Sequence, residues 1–230
     1  FIARIVKPER KEKKRKMTSD NSQTPRERRR ERTKLAILLA AESLLAEGGL
    51  QHVTLANIAA RAEYSKPALY DYFSGIEDIL IELSNNGFIR LGDRIKAIDP
   101  TLSPEERLMA TAHTFLEFAA QNPELYQLMF THIIFTNIDL DRNWPELHKE
   151  TQVAYYAALE IIQDGIAQGV FKVQPNFDSA AMLYMCWVTL HGIASLKREL
   201  IKEVGLAVDK HQAVLLQLMI NNLKGALPHD

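Results

Sequence analysis

A chain of 230 residues, 47% hydrophobic and 25% charged, has the composition of a globular protein with a sizeable core, as one large domain or a small domain fused to a larger one. Its single cysteine, Cys186, excludes an intramolecular disulfide and a cysteine-held zinc, and fits a reducing cytoplasm. The net charge of −1 hides an asymmetry: residues 1–34 carry 14 Lys and Arg against 5 Asp and Glu, a net of +9, and the remainder carries −10, as expected when one end meets a polyanion.

Residues 1–24 form a basic flexible arm. The stretch KEKKRKMTSDNSQ within it has no apolar periodicity and reads as solvated chain, with Met17 a candidate start. Charges interrupt the N-terminus throughout, so it is not a secretory signal. A first helix is expected from Pro25 to Glu47, with Leu35, Leu38, Ala41 and Leu45 at helical spacing, ending at Gly48-Gly49. A short helix from Thr54 to Ala62, a turn at Glu63-Tyr64-Ser65 and a second short helix then have helix-turn-helix spacing. Thr54 and Ser65 are N-cap residues, and Val53 with Ile58 and Tyr64 with Leu69 are placed as hydrophobic staples. Pro67 falls in the first turn, where its missing N–H has no helical partner.

The second short helix opens the stretch YSKPALYDYF, residues 64–73. If Leu55, Ile58, Ala59, Ala62, Leu69 and Phe73 bind the two helices together, Lys66, Pro67, Ala68, Tyr70, Asp71 and Tyr72 are left outward or marginal, and a soluble surface seldom displays such rings without using them. Lys66 can reach guanine acceptors in a major groove, and Pro67 and Ala68 can touch a thymine methyl. The Tyr70 and Tyr72 hydroxyls can hold phosphates, as can the helix starts at Thr54 and Ser65. The plainer reading, that Tyr72 packs on the following helix, stands beside it.

Farther on, Ser103 with Pro104 and Glu106, Asn122 before Pro123, and Asp209 with Gln212 mark helix starts. Stops fall at Asp99-Pro100, around Gly165 and Gly169, and near Gly205, and residues 135–146 read as a loop. The chain is expected to be all-α, with about nine helices and no strand. Ser179–Leu196 runs 18 residues without Asp, Glu, Lys or Arg, just long enough to span a bilayer. Its Ser, Thr, His and Gly content points instead to a helix buried on two faces, in its own core and against a partner, and not to a membrane segment.

The segment TLANIAARAEYSKPALYDYFSGIEDIL, residues 54–80, resembles the DNA-binding domain of the TetR family of bacterial transcriptional regulators: T-x-x-x-I-A-x-x-A, then Ser, then L-Y-x-Y-F occur at the family's spacing. The resemblance implies a helix-turn-helix domain over 25–75 and an effector-binding and dimerisation domain over 76–230. It further implies a homodimer on a near-palindromic DNA operator, a small apolar effector that releases it, and a cytoplasmic repressor without a cofactor. It places Lys66, Pro67, Ala68 and Tyr70 on bases and Thr54, Ser65 and Tyr72 on phosphates. Two positions depart from the pattern. Glu63 stands where the family has glycine, in a turn that often needs a left-handed residue, and Ile76 stands where the family commonly has a phosphate-binding lysine. The basic segment RERRRER, residues 26–32, with Arg28 and Arg30, is the expected replacement, running along the backbone or into the minor groove.

NPELYQLMF, residues 122–130, and CWVTLHGIASL, residues 186–196, resemble a TetR-type C-terminal domain marked by Trp187, His191 and Gly192. In such domains the last two long helices form a four-helix dimer interface, to which Trp187, His191, Leu215 and Met219 are assigned. The plainer reading of His191 is a core or interface histidine with a satisfied hydrogen bond. Effector candidates are Met109, His113, Phe115, Phe118, Phe130, Trp144, Tyr155, Tyr156, Met182 and Met185, most of them shared with the plain core. An all-helical enzyme is the rival class, but the chain lacks H-E-x-x-H, a P-loop, G-x-S-x-G and any close histidine pair for a metal. Cys186, within an apolar run, reads as buried. A DNA-binding dimer without an effector is the remaining alternative.

Overall fold

A computed structural model describes residues 24–132, 140–203 and 208–225. Among them are nine α-helices: α1 (Pro25–Gly48), α2 (Leu55–Arg61), α3 (Lys66–Leu69), α4 (Ile76–Lys96), α5 (Pro104–Gln121), α6 (Pro123–Gln127), α7 (Leu140–Ala167), α8 (Ser179–Glu203) and α9 (Val208–Leu223). No strand occurs among these residues, only an isolated bridge between Gln174 and Phe177. The arm over residues 1–23, part of the expected loop, Gly205 and the last five residues lie outside the described residues.

The helix ends follow from local chemistry. At α1, Thr24 accepts from the Glu27 amide at 3.2 Å and Glu27 Oε2 accepts from the Thr24 amide at 2.7 Å, a reciprocal capping box with Pro25 in the first turn. This cap makes residues 26–32 the opening turns of α1. Gly49 closes α1 with φ of 70°, a left-handed position that only glycine adopts cheaply. Ser103 and Glu106 repeat the box at α5.

Two other expected boundaries move. Helix α7 begins at Leu140, so residues 140–146 of the expected loop are helical. Pro145 removes a single bond, to the Asp141 carbonyl, close to the N-terminal end, and the helix continues through it. Helix α9 begins at Val208, which places Asp209 inside its first turn rather than at its cap. Helix α7 ends at Ala167, between Gly165 and Gly169 as expected, and a Cβ on Gly165 would come within 2.1 Å of the Phe171 ring.

One face of α1 (Ile37, Leu38, Ala41, Leu44, Leu45) packs on α2, α4 and α6. Leu35, placed on the periodic face by spacing, is exposed together with Leu39. Helix α4 leaves the helix-turn-helix unit and runs along α7, with Lys34–Glu82 and Arg90–Glu42 ion pairs, both at 2.8 Å, tying it to α1. Arg107 on α5 donates to Asp164 on α7 at 2.8 Å. The apolar run Ser179–Leu196 is long and apolar enough to cross a membrane by composition. Its inner face (Met182, Leu183, Cys186, Leu190, Ile193) is nevertheless part of the core.

Candidate functional site

Helices α2 and α3 are held as a pair by Ile58, Ala59, Leu69 and Phe73, all buried, with Leu55 and Ala62 half-buried beside them. Both N-caps form as expected: Thr54 Oγ1 accepts from the Asn57 amide at 3.2 Å and Ser65 Oγ from the Ala68 amide at 3.3 Å. The turn between them carries Glu63 at φ of 60°. The left-handed conformation is therefore retained without glycine, at a cost of roughly 1 kcal/mol. Tyr64 turns toward α1, its hydroxyl 3.3 Å from Thr33 Oγ1.

The outward set is Thr54, Ser65, Lys66, Pro67 and Tyr70, all exposed, with Tyr70 at 54% of its surface. Ala68 is half-buried between them. Tyr72 is half-buried, and the Arg30 guanidinium lies 5.0 Å above its ring. Arg30 also donates to the Asp71 carbonyl at 2.9 Å. A residue assigned to the DNA backbone thus joins α1 to the end of α3, so Arg30 fixes the attitude of the exposed face through a stacked and hydrogen-bonded contact. Arg28 lies on the exposed first turns of α1.

A second brace went unread in the sequence. Arg61, in the last turn of α2, grips Glu47 of α1 with both nitrogens at 2.7 and 2.8 Å and reaches Ser43 Oγ at 2.6 Å. Hydrogen bonds from Arg61 and Ser43 hold the Glu47 carboxyl down at about 2, far below the usual carboxylate range. Ile76, at the lysine position of the family pattern, is half-buried in the first turn of α4.

In the larger domain the structure gathers a ring cluster. Phe130 lies 5.0 Å from Phe88, 5.8 Å from Phe115, 5.1 Å from Tyr126 and 4.5 Å from His191, and Trp187 stands 4.9 Å from His191 at nearly a right angle. His191 Nδ1 is 2.6 Å from the Tyr126 hydroxyl. The histidine assigned to the dimer interface thus sits among its own subunit's rings, because Tyr126 and Phe130 on the α6 side provide both a hydrogen bond and faces to pack on. Burial pushes its imidazole down to about 4, so it is neutral.

Met219, also assigned to the interface, lies inside the subunit instead. It is 2% exposed and belongs to the subunit core, while its neighbours Val214, Leu215 and Leu218 are exposed. With Tyr184, Trp187, Val188 and Leu196 of α8 these make an uncovered apolar stripe across α8 and α9. Cys186 is buried, its thiol pushed up to about 12 by desolvation.

The effector candidates divide. Phe115 and Phe130 enter the ring cluster. Phe118 and Met182 are fully buried, and Phe118 packs under the Arg94 guanidinium. Met109, Met185 and Tyr155 are half-buried against the core. His113 is exposed, on the outer face of α5, and Tyr156 is half exposed; neither position lines an interior site. Trp144 falls on α7 where side chains lie outside the described residues. Ser84, Asn85, Phe88 and Tyr126 were not foreseen; the signal for the first three is the small polar and aromatic content of the run LSNNGF in a helix otherwise rich in Leu and Ile.

An exposed, braced α3 beside a basic helix start, joined through α4 to an all-helical domain with an uncovered apolar stripe, defines a helix-turn-helix transcriptional regulator. Residues 37–83 match the family model described as bacterial regulatory proteins, tetR family, and residues 108–222, half the chain, match that of the tetracyclin repressor-like C-terminal domain. The chain belongs to the TetR family of transcriptional regulators. It is 26% identical over 95 residues, 41% of the chain, to the uncharacterized HTH-type transcriptional regulator YobS of Bacillus subtilis. It is 26% identical over 145 residues, 63% of the chain, to the HTH-type transcriptional activator FasR of Mycolicibacterium smegmatis. The chain spans 50% and 61% of the length of these two curated relatives. A protein of unknown function from Rhodococcus sp. RHA1 shares the fold, with a TM-score of 0.71 and 22% identity over 84% of this chain and 95% of its own.

Proposed function

We propose that the protein binds a near-palindromic DNA operator as a homodimer and is released by a small, mainly apolar effector, acting as a repressor. The observation that carries the DNA reading is the α3 face, where Leu69 and Phe73 point inward while Lys66, Pro67 and Tyr70 stay exposed. In this reading Lys66 and the Pro67–Ala68 edge meet bases, while Tyr70, Tyr72 and the capped starts at Thr54 and Ser65 meet phosphates. The exposed stripe on α8 and α9 supports pairing of two subunits through a four-helix interface, with Trp187 and Leu215 in it. The two reading helices then lie about 34–36 Å apart, one turn of DNA. The Trp187, His191 and Gly192 pattern supports a larger domain of the Trp-His-Gly type, and the work of such a protein lies in the cytoplasm.

The test is binding of purified protein to the DNA upstream of its own gene and to a random duplex, across a salt series. A salt-resistant preference for its own promoter, lost in Lys66→Ala, supports the reading. Equal and steeply salt-dependent binding to both duplexes refutes it. The name of the FasR relative favours a second reading, activation at the same operator; a promoter-fusion reporter in a deletion strain separates the two by the sign of its response.

A further inference from the structure

Three buried polar atoms among the described residues make no hydrogen bond: Ser84 Oγ, Asn85 Oδ1 and His191 Nε2. Native cores seldom leave buried donors or acceptors unpaired, because the desolvation is then uncompensated. The three border one cluster. Gly87 and Phe88 follow Ser84 by three and four residues, so they share its face of α4. Phe88 meets Phe130, and a Cβ on Gly87 would lie 2.4 Å from Met129 Sδ. Asn85 is one turn before Phe88. Phe130 in turn packs on His191. Leu128–His132, which supplies Met129 and Phe130, is a π-helical turn, a backbone form that accompanies functional sites.

Two described cations of α4 and α5 are engaged elsewhere. Arg94 lies over Phe118 and donates to Gln121, and Arg107 is paired with Asp164. No described cation stacks on Phe88, Phe115, Tyr126 or Phe130, and burial holds His191 neutral and Cys186 protonated. Among the described residues no ion pair or cation–ring contact falls on these rings, so a charged ligand group would go without a described counter-charge there.

We propose that this cluster takes a small uncharged molecule, apolar over most of its surface, whose hydroxyl, carbonyl or amide pairs with His191 Nε2 and with Ser84 or Asn85. The inference rests on the effector reading above and adds the chemical class. The aromatic rings supply bulk attraction, and the three polar atoms distinguish a ligand with a hydrogen-bonding group from a hydrocarbon of the same shape.

The test is calorimetric titration of the full chain, without DNA, using 4-ethylphenol, ethylbenzene and 4-ethylbenzoate as probes of one size. The phenol is expected to bind at least tenfold more tightly than either of the others, and His191→Phe to erase that advantage while ethylbenzene binds as before. Ser84→Ala, melted without any probe, is expected to be as stable as the parent or more so, because it deletes an unpaired hydroxyl. Equal or tighter binding of the benzoate, no binding of any probe, phenol binding unchanged in His191→Phe, or a lower melting temperature for Ser84→Ala each overturns the proposal. Because no DNA is present, failure here leaves the operator reading intact, and absence of operator preference leaves this titration intact.

Discussion

Replacing His191 by Phe changes how stability responds to pH, and the effect can be worked from the site. The imidazole is held at about 4 by burial, against an ordinary value of about 6.5 in the unfolded chain. Between these values the unfolded state binds the proton and the folded state does not, so stability falls as pH drops from about 6.5 toward 4. The contribution lost is about 2 kcal/mol at pH 5 and reaches a ceiling of about 3 kcal/mol below pH 4, at 1.36 kcal/mol per unit. Tyr126, the titratable group in contact with it, is raised by its own burial and stays protonated throughout. Glu47 titrates near 2 and is silent in this window. Thermal melts of the wild type and of His191→Phe at pH 7, 6 and 5 check the argument. The wild type should lose roughly 4–8 °C more than the variant between pH 7 and pH 5. Parallel curves refute the claim that His191 is desolvated, and with it the reading of the ring cluster as a dry interior.

Other outcomes follow from single contacts. Glu63→Gly relieves the left-handed backbone at φ of 60° and should raise stability by about 0.5–1 kcal/mol in urea titration; destabilisation would mean that the Glu63 side chain holds the turn. Arg30→Lys keeps the charge but loses the planar stack on Tyr72. It should weaken operator binding several-fold with little change in salt slope, whereas full activity would make the stack incidental. Leu218→Glu, in the exposed stripe, should convert a dimer to monomers in sedimentation without lowering helix content; a dimer that survives the change would place the interface elsewhere.

The helix-turn-helix was legible because its signals are local. Thr54, Ser65 and Pro67 each act within four residues of themselves, and the strained position at Glu63 was readable as a departure from glycine. Boundaries failed where a distant partner decides. The loop expected over 135–146 is helical from Leu140 onward, with Pro145 carried inside α7. The face of an all-round apolar helix cannot be read from its period, which is why Met219 was assigned outward. Ser84 and Asn85 escaped notice for a related reason: aromatic and methionine side chains advertise a pocket, whereas small polar groups inside an apolar helix become informative only when their missing partners can be seen. Arg30 and Arg61 were legible as charge but not as braces, because each reaches a residue 41 or 14 positions away.

The uncovered stripe on α8 and α9 also bears on dosage. If two subunits must meet over Trp187, Val188 and Leu218 before both half-sites can be engaged, then below the dimer dissociation constant operator occupancy rises with the square of the subunit concentration. Halving the amount of protein in that regime cuts occupancy fourfold, so the strength of a greasy seam far from the DNA sets how sharply the controlled promoter responds to synthesis, dilution and turnover of the regulator.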